Sequence, residues 1–200
     1  MIYWLGWLIS RIIFNTVYRR KIIGLENLPK SGSYILAANH KSYADPPLVG
    51  SCIKKKIYYI AKKELFRVPV FGWLIKKANA FPVDRDTADA GALKNALKIL
   101  QSGNILLVFP EGTRYKPGKI RKLKNGAAML SIASNSPVVP VAIINSDKLS
   151  SFKKIKIKFG VPMRFESTEN YDVITNKIMS EIEKLKNEPR PSCIKQKGAG

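Results

Sequence analysis

Residues 34–47 read YILAANHKSYADPP, and the order of residue types along them sets the fold. Tyr34 to Ala38 is a short, unbroken apolar run, the pattern of a strand covered on both faces. It stops at Asn39 and His40, crosses a polar turn and meets Pro46 and Pro47, and proline is favoured where a helix begins. The stretch predicts a strand, a turn and a helix start, with Asp45 as a natural N-cap. Four more apolar runs have the same character: Ile57 to Ala61, Ala80 to Val83, Ile105 to Phe109 and Val138 to Ile144. Helix patterns lie between them. The clearest is Thr87 to Ser102, where Leu93, Ala96, Leu97 and Leu100 share a face and Gly103 supplies the stop. Strands alternating with helices predict an α/β fold, a mixed sheet flanked by helices. In Lys153 to Phe159, lysines at 154, 156 and 158 alternate with Ile155, Ile157 and Phe159, which predicts an edge or half-exposed strand. A last helix is expected from about Glu169 to Lys186, ended by Pro189 and Pro191.

The chain has 200 residues, 35 Lys and Arg against 14 Asp and Glu, and a net charge of +21. At 46% apolar it carries too much burial potential for a disordered polycation. Its length suits one domain, 22–188, between an apolar segment, 1–21, and a disordered tail, 189–200. The charge predicts a polyanionic partner: nucleic acid, an anionic membrane surface or phosphorylated substrates. Two distant cysteines, Cys52 and Cys193, and a single histidine offer neither a disulfide framework nor a zinc cluster, so no metal is expected.

Residues 1–18, MIYWLGWLISRIIFNTVY, are dominated by large apolar groups and are followed by Arg19, Arg20 and Lys21. The run is shorter than the roughly 20 apolar residues of a spanning helix, and it contains Arg11 and Asn15. A signal peptide would carry its basic cluster before the apolar run, so cleavage is not expected. Two tryptophans and a tyrosine suit the headgroup boundary. The segment reads as a monotopic or peripheral interfacial helix, with the domain on the cytoplasmic face; the alternative is a helix docked on the core.

The only histidine, His40, ends the first of the five strands, and Asp45 follows five residues later. On a regular helix they would point about 140° apart. They meet only if the turn folds His40 back, in which case the carboxylate holds one ring nitrogen and leaves the other to take a proton. Three further segments follow or form strands: FPVDR (81–85), FPEGTR (109–114) and VVPVAI (138–143). Ligand-binding groups gather beyond the carboxyl ends of strands in such sheets. Arg85 and Arg114 can present planar forks to a phosphate, Gly112 permits close backbone approach, and Thr113 adds a hydroxyl. Read structurally, either arginine is an ion-pair partner and Glu111 a capping or arginine-positioning carboxylate.

In order and spacing, NHKSYADP, FPVDRD, FPEGTR and VVPVAI resemble the four blocks of the glycerolipid acyltransferase family, and within it the bacterial 1-acylglycerol-3-phosphate acyltransferases. The resemblance spans Asn39 to Ile143. It implies a membrane-associated enzyme of phospholipid biosynthesis that moves a fatty acyl group to the 2-hydroxyl of lysophosphatidic acid (1-acylglycerol 3-phosphate), giving phosphatidic acid. The donor would be an acyl thioester, acyl-ACP or acyl-CoA, with no cofactor. His40 and Asp45 would be catalytic; Arg85, Glu111, Gly112, Thr113 and Arg114 would hold the phosphate, with Lys62 and Lys124 as auxiliary basic groups. Val139, Pro140 and Val141 would form an apolar wall. Pro82 departs from the aliphatic residue common in the second block. Another acceptor, glycerol 3-phosphate or a different lysolipid, fits the same blocks. From a different class, a basic membrane- or nucleic-acid-binding protein without turnover fits the charge. The chain has no helix-turn-helix, zinc or base-stacking signature, so nucleic acid is not an expected partner.

Overall fold

The expected first strand, β2 (Tyr34–Ala38), lies at the centre of a seven-stranded sheet in the computed structural model, which describes residues 2–85, 87, 89–114 and 123–188. The other strands are β1 (Lys21–Ile23), β3 (Ile57–Lys62), β4 (Ala80–Val83), β5 (Ile105–Val108), β6 (Val138–Ile144) and β7 (Lys156–Phe159), in the spatial order β1-β7-β6-β2-β5-β3-β4. The five strands from β6 to β4 are mutually parallel, so their carboxyl ends share one edge. β7 runs antiparallel to β6 and parallel to β1.

Side chains alternate across β2 as strand geometry requires. Tyr34, Leu36 and Ala38 pack with Phe14 of α1 (Ile2–Thr16) and with Leu48 and Val49 of α2 (Asp45–Gly50). Ile35 and Ala37 face the opposite layer, formed by α4 (Ala90–Gln101), α5 (Gly126–Ser134) and α6 (Tyr171–Asn187). The short α3 (Phe71–Lys77) connects β3 to β4. The mixed sheet flanked by helices is the fold that the alternating pattern predicts.

Several local expectations change. β7 is not an edge, because β1 covers its outer side. Lys158 is buried there rather than on a charged face, and its ammonium donates to the carbonyls of Leu185 and Glu188 at the end of α6. Those carbonyls are left without partners where a helix ends, so a buried lysine becomes tolerable. α4 starts at Ala90 rather than Thr87, since Asp89 takes the N-cap and accepts from the Ala92 amide. α6 starts at Tyr171 because Asn170 caps it. Lys21 already belongs to the sheet, so the apolar segment gives way to paired strand one residue before the expected boundary. The expected tail, 189–200, lies outside the described residues. Among the described residues, no helix is long and apolar enough to cross a membrane.

Asn39 extends the central ladder past the last β2 residue. Its amide nitrogen donates to the Ile143 carbonyl at 3.0 Å, and its side-chain oxygen accepts from the Ile143 amide at 2.7 Å. A fully buried side chain thus imitates a backbone pair and ties the end of β2 to β6, holding the following residue, His40, in place. Asn39→Ala leaves two backbone groups without partners and should lower unfolding free energy by about 2 kcal/mol. Asn39→Asp should cost no less, because it sets a carboxylate oxygen against the Ile143 carbonyl. Urea denaturation measures both; a loss below about 0.5 kcal/mol would show that this end of β2 needs no such clamp.

Candidate active site

The turn between β2 and α2 does bring His40 and Asp45 together. His40 Nδ1 lies 2.9 Å from Asp45 Oδ2, and the same oxygen accepts from the backbone amides of Lys41 and Ser42, each at 2.7 Å. Ala44, not Asp45, holds the N-cap position. Asp45 is the first residue of α2, and its fully buried carboxylate turns back into the loop instead of capping forward. A carboxylate that already accepts two amides can only accept from the imidazole, so Nδ1 carries the proton and Nε2 presents a lone pair. The ring is held flat against Phe109, at 4.0 Å between centroids and 18° between planes.

His40 stands in the wall of a cavity of about 530 Å³. Arg85 and Arg114 line it as well; the rest of the lining is mostly apolar, with Gly6 and Trp7 from α1, Pro46 and Pro47 from α2, Leu74 and Ile75 from α3, and Ile60 and Ala61 from β3. Arg85 follows β4, and its loop is pinned where the Asp84 amide donates to Asp89 and the Asp84 carboxylate pairs with Lys63. Burial, and then the charge of Arg114, hold the Arg85 guanidinium below the usual arginine range. Glu64 acts on the Arg85 charge in the opposite sense but more weakly than Arg114. Two guanidiniums close enough to repel each other favour an anion beside them.

The FPEGTR segment turns tightly after β5. Gly112 has φ +66°, its amide donates to the Phe109 carbonyl, and a Cβ there would press against the stem of Lys124 at 3.0 Å. The backbone thus needs glycine at this turn. Glu111 is buried; Thr113 and Arg114 are exposed. Of the residues expected to hold a phosphate, Arg85 and Arg114 reach the cavity wall. Lys62 does too, 3.4 Å from Glu64, whereas Lys124 covers Gly112. The expected wall of Val139, Pro140 and Val141 lies elsewhere: all three are buried in β6, between β2 and β7, and the apolar lining comes from α1, α2, α3 and β3 instead.

Tyr43 and Phe109 were not singled out among the sequence motifs. Arg114 donates to the Tyr43 hydroxyl at 2.7 Å and lies over its ring at 3.5 Å, joining the His40–Asp45 turn to the third block. The signal was an aromatic residue in an otherwise polar, exposed turn. Phe109 read only as a strand end.

An oriented imidazole, an anion corner and an apolar cavity on the carboxyl edge of a parallel sheet define a protein that acts on an amphiphile bearing a negative charge. The family described as Acyltransferase matches residues 19–144, and the chain belongs to that family. A 1-acyl-sn-glycerol-3-phosphate acyltransferase of Bacillus subtilis (strain 168) is 33% identical over 177 residues, covering 84% of this chain and 88% of the relative. One from Streptococcus pneumoniae (strain ATCC BAA-255 / R6) is 30% identical, covering 79% of this chain and 62% of the relative. The crystal structure of the 1-acyl-sn-glycerophosphate (LPA) acyltransferase from Thermotoga maritima has a TM-score of 0.72 at 23% identity, covering 92% of this chain and 80% of that one, which shows the shared fold.

The anion corner can be tested without turnover. Inorganic phosphate should raise the melting temperature of the wild-type protein, since a ligand that binds only the folded state stabilises it. Arg85→Ala and Arg114→Ala should abolish that shift, and Arg114→Lys should restore it only in part, because an ammonium lacks the planar fork. Equal shifts in all four proteins would place phosphate binding elsewhere.

Proposed function

We propose that this protein transfers a fatty acyl group from an acyl thioester to the 2-hydroxyl of 1-acylglycerol 3-phosphate, giving phosphatidic acid. The observation that carries this reading is the His40–Asp45 pair, whose imidazole lines a mostly apolar cavity that Arg85 and Arg114 line too. The names of the relatives support the same acceptor.

The acyl chain of the acceptor lies along the apolar walls and its phosphate sits against the two guanidiniums, which brings the 2-hydroxyl to His40. Nε2 removes the hydroxyl proton as the oxygen attacks the thioester carbonyl, and Asp45 stabilises the imidazolium that forms. The tetrahedral intermediate collapses with loss of the thiolate, which takes the proton back from His40. Transfer is direct. Cys52 is an unsuitable acyl carrier, because burial pushes its thiol up to about 12 and its Sγ donates to the Leu48 carbonyl. Ser42 uses its hydroxyl to accept from the Ala44 amide within the turn. Acyl-ACP and acyl-CoA both supply the required thioester.

Incubating the purified protein with lysophosphatidate and an acyl thioester in detergent should yield phosphatidate. His40→Ala should lower kcat by roughly 10²- to 10⁴-fold with the melting temperature nearly unchanged. Turnover by His40→Ala close to the wild-type rate would contradict the mechanism.

We propose that the enzyme works at a membrane surface, on the cytoplasmic face, with α1 as the contact. Tyr3, Trp7, Arg11 and Phe14 face inward: Trp7 donates to the Ile53 carbonyl, Arg11 to that of Ser51, and Phe14 is buried. Leu5, Leu8, Ile9, Ile12 and Ile13 face outward and are exposed. The helix therefore docks on the domain and still offers an apolar face. Deleting it would also remove cavity wall, so the outward face is the better target. Wild-type protein should stay on anionic vesicles at high salt, and Leu8→Glu with Ile12→Glu should release it, because apolar burial is not screened by salt. Equal retention of both proteins would show that α1 does not touch lipid.

A further inference from the structure

The segment from Val68 to Leu74 exposes five large apolar side chains, Val68, Val70, Phe71, Trp73 and Leu74, none of which belongs to the motifs described above. Val70 is the most exposed, at 72%, and it occupies a backbone region that β-branched residues avoid, φ 61° and ψ −54°. The Phe71 amide bonds back to the Pro69 carbonyl at 2.6 Å, closing a γ-turn of the rare, strained hand. Such a conformation persists only where its surroundings impose it. Here they do: the Gly72 amide donates to the Val68 carbonyl, and Gly72 sits so close to the Phe66 carbonyl that a Cβ would lie 2.4 Å from its oxygen. The fold thus spends strain to present an apolar tip to the outside.

The surroundings of the tip point to what covers it. Phe71 and Leu74 line the cavity that contains His40, and Ile2, Gly6 and Trp7 of α1 line it too. Residues 1–25 and 65–83 contain no aspartate or glutamate, while Arg67, Lys76 and Lys77 beside the tip are exposed. An apolar projection with three exposed cations near it in sequence, and with Glu64, the acid that precedes it, paired with Lys62, complements an anionic lipid surface.

We infer that Val68–Leu74 is a second bilayer contact, which inserts Val70 and Trp73 among anionic lipids and, together with α1, opens the cavity onto the membrane. The inference rests on the proposed lipid acceptor, which would then pass from the bilayer into the cavity without leaving an apolar environment.

Vesicles of mixed phosphatidylglycerol and phosphatidylcholine, with co-sedimentation at high salt, test it. Val70→Asp with Trp73→Glu should weaken vesicle binding about ten-fold or more. The variant should keep wild-type turnover of a short-chain, monomeric lysophosphatidate and lose turnover of the long-chain substrate presented in vesicles. Val70→Gly separates surface from fold: it relieves the strained φ, so resistance to urea should rise while vesicle binding falls. Unchanged vesicle binding in both variants would overturn the inference. So would sedimentation velocity showing that lipid-free wild-type protein is a dimer which Trp73→Glu dissociates without altering vesicle binding, since a second copy would then cover the tip. Failure of the wild-type protein to acylate either lysophosphatidate would instead count against the proposed reaction, and the binding measurements would stand apart from it.

Discussion

One carboxylate oxygen organises the site. Asp45 Oδ2 gathers His40 Nδ1 and the amides of Lys41 and Ser42, three donors from six consecutive residues. Burying an ionised carboxylate is costly unless donors surround it, and the turn between β2 and α2 can supply them only in the conformation that also folds the imidazole back. The charge, the turn and the orientation of His40 are therefore one arrangement. Asn39 fixes where it starts by extending the β2–β6 ladder, and the stacked ring of Phe109 fixes the plane of the imidazole.

Around that turn, the sheet does the rest of the positioning. Because β6, β2, β5, β3 and β4 are parallel, His40, Arg114, Lys62 and Arg85 leave the same edge although up to 74 residues separate them along the chain. Two guanidiniums in one cavity wall feel each other's charge, which prepares that wall for an anion. The apolar lining of the cavity comes from helices and from β3, and α1 contributes to it with one side while exposing leucines and isoleucines on the other. A helix built this way links the chemistry of the cavity to the surface from which a lipid would arrive.

The strands of the sheet's centre were legible because each is a run of large apolar residues buried on both faces, and such runs have few alternatives. The turn was legible for a related reason: a polar stretch between such a run and two prolines has little freedom. What escaped reading depends on tertiary neighbours. Lys158 reads as a solvent-facing lysine until the end of α6 arrives to accept from it, and β1 is three residues long with no pattern of its own. VVPVAI was expected to form an apolar wall from its resemblance to the family's fourth block, yet β6 is covered by helices and neighbouring strands along nearly its whole length and does not reach the cavity. Tyr43 was missed because an aromatic residue in a polar turn, its one sequence signal, names no partner until Arg114, distant in sequence, lies over it.

The account turns on where an acceptor lies, so a crystal structure of the protein with lysophosphatidate tests it most directly. It should place the phosphate within hydrogen-bond distance of both Arg85 and Arg114, the acyl chain between α1 and α3, and the 2-hydroxyl about 3 Å from His40 Nε2. A phosphate held away from both arginines, or a 2-hydroxyl out of reach of Nε2, would contradict it.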